Sequence, residues 1–254
     1  MSLLEVQALS KRFGGLQAVG NVGFSVPVGA IKALIGPNGA GKTTLFNLVS
    51  GVLKPDSGTI TFQGAEIQGR QPYQVARAGI ARTFQHIRLF PKMSTLENIM
   101  IGRHVHSRAG FVSGMLSLPW TRREERAIRD RALAIMDFLG IAELAGSDAT
   151  SLAYGQQRIV ELGRALACEP KLLLLDEPAA GLNMRETAEM AKLIERIRAT
   201  GVTILLVEHD MALVMNISDE IVVLSYGEKI ADDKPLAIQK NPEVIRVYLG
   251  EADA

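Results

Sequence analysis

Apolar residues in the first third of the chain recur mostly at the spacing of strands. Residues 4–9 alternate in part between apolar and polar side chains, and residues 58–64 place apolar side chains on one face between glycines. Residues 30–35 form a short apolar run that stops at a glycine-rich turn. Residues 44–50 have helical spacing and are followed by Gly51, which is typical of a helix end. We therefore expect several strands here, interrupted by one helix.

The middle of the chain, residues 71–149, has a more helical pattern. Its apolar residues at helical spacing include Ile128, Ala132, Ile135 and Leu139. Residues 121–124 have the Thr-x-x-Glu form of a capping box, which predicts that this helix begins at Thr121. Residues 102–119 are rich in glycine, serine and basic side chains, so they are interpreted as a loop or insertion with short helical pieces.

Strand and helix patterns alternate in the last third. The strand-like runs are residues 171–175, 202–207 and 221–225, and the helix-like runs are residues 185–200 and 211–217. Alternation of apolar strands with helices is typical of parallel sheets that helices cover on both faces. The chain is therefore expected to have an α/β fold.

Composition narrows the possible roles. The 254 residues are 47% hydrophobic and 22% charged, which is sufficient for a packed core. A formal net charge of +1 argues against a nucleic-acid partner. Cys168 is the sole cysteine, which fits a reducing cytosol. The N-terminus lacks the pattern of a signal peptide, and no apolar run approaches the roughly 20 residues of a membrane-spanning helix, so any membrane role is expected to act through a partner.

The strongest local motif is a glycine-rich stretch at residues 36–44 that fits G-x-x-x-x-G-K-[ST], between a predicted strand and a predicted helix. Backbone N–H groups of such a loop, together with the N-terminus of the following helix, can surround phosphate oxygens. Lys42 is expected to contact the β- and γ-phosphates of ATP, and the Thr43 hydroxyl to bind Mg²⁺. The residues predicted to bind the nucleotide in this phosphate-binding loop (P-loop) are Gly36, Pro37, Asn38, Gly39, Ala40, Gly41, Lys42, Thr43 and Thr44.

A second motif joins four leucines to two carboxylates at residues 172–178. The leucines predict a buried strand, and ligands of open α/β sheets bind at the carboxyl ends of strands. Asp176 is therefore expected to bind Mg²⁺, and Glu177 to polarise the attacking water.

Five further motifs occur in a characteristic order. They are Phe13 before the P-loop, Phe84-Gln85, Leu152-Ala-Tyr-Gly-Gln-Gln-Arg158, Ala180-Gly-Leu-Asn183, and Glu208-His209 after an apolar strand. With the two motifs above, this series resembles the ATP-binding cassettes of ABC transporters over almost the whole chain. The resemblance implies one domain over residues 1–254, with a catalytic core and β subdomain at about 1–85 and 170–254 and a helical subdomain at about 86–169. The implied fold is a P-loop NTPase core with a mostly parallel sheet, an N-terminal antiparallel β subdomain and an α-helical signature subdomain.

The resemblance also implies roles for individual residues. Phe13 would stack on adenine, Gln85 would sense Mg²⁺ as a ligand, and His209 would contact the γ-phosphate. Glu177, His209 and Lys42 would be the catalytic residues. Asn183 belongs to the segment known as the D-loop. The signature residues, which would contact ATP bound to a second cassette, are Leu152, Ala153, Tyr154, Gly155 and Gln156.

Departures from the general family pattern indicate which branch of the family the chain resembles. Ala153 replaces the usual serine and cannot donate a hydroxyl hydrogen bond to the γ-phosphate, and Asn183 replaces the common aspartate. The variant motifs and the ending Asn-Pro-Glu-Val-Ile-Arg-Val-Tyr-Leu-Gly-Glu resemble the G-type ATPase of bacterial branched-chain amino acid importers. That resemblance implies a second ABC ATPase subunit, in a homodimer or heterodimer, and transmembrane permease subunits. It also implies indirect cooperation with a periplasmic solute-binding protein, and a peripheral position on the cytoplasmic face of the inner membrane.

Other interpretations stay open at this stage. The solute could be an amide or urea, or the chain could be a soluble ABC ATPase outside transport, although it has one cassette and no sustained heptads. A P-loop kinase would not need the signature or His209, and no Asn-Lys-x-Asp motif of GTPases is present. A partner that binds ATP without hydrolysing it is disfavoured because Glu177 and His209 are present. Within residues 82–101, Leu89 and Phe90 are expected to contact a permease, so that a charge there would uncouple ATPase activity from transport.

Overall fold

The computed structural model describes residues 1–85, 87–106 and 119–249, and the strands and helices below belong to this part. The strands are β1 (Ser2–Phe13), β2 (Leu16–Pro27), β3 (Ile31–Ile35), β4 (Ser57–Phe62), β5 (Ala65–Glu66), β6 (Ile80–Arg82), β7 (Leu172–Asp176), β8 (Thr203–Val207), β9 (Glu220–Ser225) and β10 (Glu228–Asp233). The helices are α1 (Lys42–Val49), α2 (Pro72–Ala78), α3 (Thr95–Arg103), α4 (Pro119–Leu139), α5 (Tyr154–Ala167), α6 (Met184–Ala199), α7 (Met211–Ile217), α8 (Pro235–Lys240) and α9 (Pro242–Leu249).

The central sheet has six strands in the order β10-β9-β3-β8-β7-β6. All neighbouring pairs are parallel except β9 and β10, which are antiparallel. Every residue of β3, β7 and β8 is buried, as expected for parallel strands covered on both faces. The prediction of a mostly parallel sheet is confirmed.

A second, antiparallel sheet has four strands in the order β2-β1-β4-β5. It packs over one face of the central sheet, and helix α1 contributes Leu45 and Phe46 to the apolar core that they share. The opposite face of the central sheet forms a second core with helices α3 to α9, in which Ile99, Met136 and Val160 are fully buried. The P-loop helix therefore lies against the core that joins the two sheets.

Helices α3, α4 and α5 pack against one another in the region that the sequence predicted to be helical. The apolar residues that predicted α4 are all buried: Ile128, Ala132, Ile135 and Leu139. The predicted start of α4 is wrong, because the helix begins at Pro119 and Thr121 falls within its first turn. Proline is well suited to a first helical position, since its missing N–H group has no helical partner there. The boundaries of the helical subdomain, about 86 and 169, stay a prediction.

The predicted loop at residues 102–119 is correct only in part. Gly102 and Arg103 complete helix α3, and a single 3₁₀ turn follows at His104–His106. Residues 107–118 lie outside the described part of the chain. Helix α1 also begins earlier than expected, at Lys42, directly after the loop residue Gly41. In the parts described, no helix combines the length and the apolar character needed to cross a membrane.

Candidate nucleotide site

The P-loop runs between β3 and α1. At two of its positions, both the backbone angle and the close approach of a neighbouring segment require glycine. Gly36 and Gly41 have φ angles of 152° and 100°. A Cβ atom at Gly36 would lie 2.2 Å from the carbonyl oxygen of Leu224, and one at Gly41 would lie 2.3 Å from the carbonyl oxygen of Ala18. The loop is thus packed against its neighbours through bare backbone, and its amides remain near the helix N-terminus, where anions are favoured.

Lys42 is the first residue of helix α1, and its side chain turns back over the loop. The Nζ atom donates to the carbonyl oxygens of Gly36 at 2.6 Å and Pro37 at 2.9 Å. Burial lowers the pKa of Lys42, while the negative charges of Glu177 and Asp176 oppose that shift. The ammonium group is therefore positioned inside the loop, where a phosphate would exchange with the carbonyl contacts.

Glu177 follows strand β7, and its carboxylate contacts two other predicted site residues. Its Oε1 lies 2.7 Å from Nε2 of His209, and its Oε2 accepts a hydrogen bond of 3.0 Å from Nε2 of Gln85. The backbone of Glu177 has a φ angle of 51°, a left-handed conformation that costs a non-glycine residue about 1–3 kcal/mol. Its N–H donates to the carbonyl oxygen of Val207 at 2.9 Å, so the neighbouring strand β8 stabilises this turn.

Asp176, one residue earlier, is buried and faces a basic side chain that no sequence motif indicated. Its Oδ2 lies 2.8 Å from Nη2 of Arg82, the last residue of β6. The pair is almost completely withdrawn from solvent, with side-chain exposures of 4% for Asp176 and 8% for Arg82.

The P-loop, Gln85, Glu177 and His209 surround an open cleft of about 450 Å³, and the Asp176–Arg82 pair is not part of its lining. Among the predicted residues, those that line it are Phe13, Asn38, Gly39, Ala40, Gly41, Lys42, Thr43, Thr44, Gln85, Glu177 and His209. Gly36 and Pro37 contribute through the carbonyl oxygens that contact Lys42. The cleft also has four lining residues that the motifs did not predict, namely Leu16, Gln17, Ala18 and Tyr226. The aromatic rings of Phe13 and Tyr226 are both exposed at its mouth.

The signature residues lie elsewhere on the same chain. Ala153, Gly155 and Gln156 line a separate cleft between helices α5 and α6, while Leu152 is half-buried and Tyr154 is exposed beside them. Gln156 accepts a hydrogen bond from the backbone N–H of Ala153 at the start of α5. The chain therefore does not bring its own signature to its own P-loop cleft.

Two contacts link the signature region to the rest of the site. Arg158 of helix α5 donates to the backbone carbonyl oxygens of Phe84 at 3.1 Å and Gln85 at 2.9 Å.

Asn183 is the residue directly before helix α6, and its side chain accepts hydrogen bonds from the backbone N–H groups of Arg185 and Glu186. Replacing the common aspartate with asparagine thus keeps the acceptor that this helix N-terminus needs.

Comparison with known proteins decides the family. A sequence profile described as ABC transporter matches residues 19–180. The chain belongs to the ABC transporter family. A second profile, described as branched-chain amino acid ATP-binding cassette transporter, matches residues 228–254. The resemblance that the motifs indicated is confirmed.

Several curated relatives of this ABC cassette are similar over nearly their whole length. BraF of Pseudomonas aeruginosa, a high-affinity branched-chain amino acid transport ATP-binding protein, is 46% identical over 251 residues, which are 98% of each chain. LivG of Escherichia coli K12, with the same description, is 47% identical over 98% of each chain. A probable branched-chain amino acid transport ATP-binding protein LivG of Archaeoglobus fulgidus is 39% identical, over 100% of this chain and 98% of its own.

Solved structures of ABC cassettes have the same fold. A nucleotide-free ATP-binding cassette from an ABC transporter superimposes with a TM-score of 0.86 at 32% identity, covering 98% of this chain and 99% of the other. The ADP conformation of an ABC transporter cassette gives the same TM-score, identity and coverage. The predicted α/β fold class is confirmed.

The ABC motifs pointed to His209 but not to a role for its neighbour Glu208. The Glu208 carboxylate is buried and accepts backbone N–H groups from Ala179 at 2.7 Å and from His209 at 3.0 Å. Burial raises the pKa of Glu208, and these hydrogen bonds oppose the shift. Glu208 thus connects the turn after Glu177 to the loop that carries His209. No sequence pattern distinguishes this role, because the two segments meet only in the folded chain.

Proposed function

We propose that the chain is the ATP-hydrolysing subunit of a membrane importer for branched-chain amino acids. The observation that carries the proposal is the position of Glu177 at the P-loop cleft, between the side chains of His209 and Gln85. A carboxylate oriented by two neighbours beside a phosphate-binding loop suits the activation of water for attack on a γ-phosphate. The solute class is proposed from the names of relatives that are 46% and 47% identical over nearly the whole chain.

ATP is proposed to bind with its phosphates on the P-loop amides and Lys42, and with its base near Phe13. Thr43, Asp176 and Gln85 would hold Mg²⁺, which supplies charge neutralisation at the phosphates. Their hydroxyl, carboxylate and amide oxygens are hard donors that Mg²⁺ prefers. Within the described residues no cluster of three His, Cys, Asp or Glu side chains could bind a metal alone. That fits a magnesium ion that shares its ligands with a nucleotide, which is its usual mode in ATPases.

The residues at the edge of the cleft then have distinct tasks. Glu177 orients the attacking water, and His209 holds the γ-phosphate side of the cleft while its ring contacts the Glu177 carboxylate. Lys42 leaves the two loop carbonyls and balances charge that develops on the phosphate oxygens. Catalysis here consists of positioning and charge stabilisation, the main contributions in phosphoryl transfer.

The proposed assembly contains two cassettes. The signature residues lie outside their own chain's nucleotide cleft, which supports a partner ABC ATPase whose P-loop they would face across the interface. Transmembrane permease subunits would receive the motion through the loop after Gln85, and a periplasmic solute-binding protein would deliver the amino acid. The cassette would then reside peripherally on the cytoplasmic face of the bacterial inner membrane.

The variant Glu177→Gln tests the proposal directly. It keeps the size of the side chain and removes the charge, so we expect ATP to bind as in wild type while hydrolysis falls by about 100-fold or more. The matched control is Glu195→Gln, which makes the same change at an exposed position of helix α6. Hydrolysis is measured with Mg²⁺, both for the chain alone and with the partner ATPase.

Transport is tested with the complete importer in vesicles. Leucine uptake should depend on ATP and disappear with Glu177→Gln, while the control retains it. Normal hydrolysis by Glu177→Gln would contradict the catalytic role. Uptake of an amide or urea in place of leucine would contradict the proposed solute but leave the ATPase role intact.

A further inference from the structure

Arg82 makes several polar contacts although it belongs to none of the sequence motifs. Its Nη2 binds Oδ2 of Asp176 at 2.8 Å, at the carboxyl end of strand β7. Its Nη1 donates to Oδ1 of Asn47 at 2.7 Å and to Oγ of Ser50 at 3.0 Å, at the C-terminal end of the P-loop helix α1. One guanidinium group therefore connects strand β7 to helix α1.

Two aromatic rings make cation–π contacts with the same guanidinium group. Its central carbon lies 5.6 Å from the ring centre of Phe46 and 5.4 Å from that of Phe84. Phe46 belongs to helix α1, and Phe84 directly precedes Gln85. These cation–π contacts and the hydrogen bonds at both Nη atoms leave the guanidinium group little rotational freedom. The Arg82 side chain is thus held in one orientation between helix α1, the end of strand β7 and the segment that precedes Gln85.

We propose that Arg82 is a positioning residue that fixes the carboxylate of Asp176 for the magnesium ion. This inference rests on the proposed function, in which Asp176 is a metal ligand. The terminal torsion of an aspartate side chain is broad and weakly restrained by itself. The charge-assisted bond from Arg82 occupies Oδ2, while Oδ1 makes no hydrogen bond to any residue that the structure describes. The contact therefore selects one orientation and leaves one oxygen available.

Arg82 could instead act only as a counter-charge for a buried carboxylate, and that role predicts the opposite result. If Asp176 kept its place without Arg82, removing the cation would strengthen its Coulomb attraction for a divalent ion. If Arg82 positions Asp176, removing it releases the carboxylate and weakens metal binding. Loss of a residue that orients a metal ligand typically weakens metal affinity about 10- to 100-fold.

The test measures Mn²⁺ binding to the full chain with a non-hydrolysable ATP analogue, using the electron paramagnetic resonance signal of free Mn²⁺. Arg82→Met keeps much of the length of the side chain and removes its charge and its donors. We expect this variant to bind Mn²⁺ about tenfold more weakly or worse. Arg82→Lys keeps the charge but offers no planar fork, so a smaller weakening is expected. Asn47→Ala leaves the bond between Arg82 and Asp176 in place and should bind Mn²⁺ nearly as wild type does.

Binding of the nucleotide analogue in the presence of EDTA checks that each variant is folded. If Arg82→Met fails this check, Arg82→Lys decides the question with Asn47→Ala as the reference. Mn²⁺ affinity equal to or tighter than wild type in the folded Arg82 variant would overturn the positioning role. If the wild type itself binds no Mn²⁺ with the analogue, the proposed function fails, which is a different result from a failure of this inference.

Discussion

Replacing Gly102 with alanine should force helices α3 and α5 apart. Gly102 lies near the end of helix α3, where it packs against the signature helix α5. A Cβ atom at this position would lie 2.0 Å from the backbone carbonyl oxygen of Arg164 and 2.9 Å from Cβ of Ala167. Neither atom belongs to a flexible side chain, so rotation of a side chain cannot relieve the contact.

The size of the effect follows from these distances. Carbon and oxygen atoms of neighbouring helices approach to about 3.3 Å, so the helices must move apart by roughly 1.3 Å at this point. Insertion of a methyl group into packed structure costs about 1–3 kcal/mol, and contacts with backbone favour the upper end. Alanine recovers about 1 kcal/mol because glycine is a poor helix former. We therefore expect Gly102→Ala to lower the free energy of unfolding by about 2 kcal/mol.

Urea unfolding measures this loss, with Gly146→Ala as the matched control. Gly146 is exposed in a turn, its φ angle is not positive, and a Cβ atom added there would meet no other atom within 4 Å. Its substitution should therefore be neutral or slightly stabilising. Helix α5 begins with the signature residues, so Gly102→Ala should also reduce ATPase activity. Equal unfolding midpoints for the two variants, with equal m-values, would refute the argument from close helix packing.

Two further predictions concern the same region. Burial raises the pKa of the Cys168 thiol, opposed by Arg164 and Arg103, so thiolate is scarce at neutral pH and its fraction grows as the pH rises. A disulfide reagent at about pH 8 should therefore modify native Cys168 more slowly than the urea-unfolded chain, and equal rates would contradict this. Phe90 is 46% exposed beside the half-buried Leu89, and Phe90→Asp should preserve ATPase activity but abolish solute uptake by the complete importer. Tyr73→Asp, at another exposed aromatic residue, is the control, and unaltered uptake by the Phe90 variant would refute the coupling role.

Much of the candidate nucleotide cleft could be predicted because most of its lining residues belong to short motifs in the sequence. The P-loop needs glycine where backbone approaches backbone, and Gly36 and Gly41 are positions where a side chain would collide. Four leucines before Asp176 indicated a buried strand, and that strand is buried throughout. By contrast, the start of helix α4 was misplaced, because a capping-box pattern cannot distinguish the first turn from the residue before it.

The contact between Arg82 and Asp176 could not be predicted from the sequence, because it depends on the order of the strands in the sheet. Strand β6 has three residues, too few for a periodic signal, and Arg82 lies 94 positions before Asp176. Once β6 is placed beside β7 in parallel, with Arg82 opposite Leu174, the two charged side chains emerge at the same edge of the sheet. A basic residue at the carboxyl end of one strand, next to a buried carboxylate at the end of the neighbouring strand, then has few alternatives to contacting it. The same reasoning explains Tyr226, which reaches the cleft from the turn between β9 and β10 and has no motif of its own.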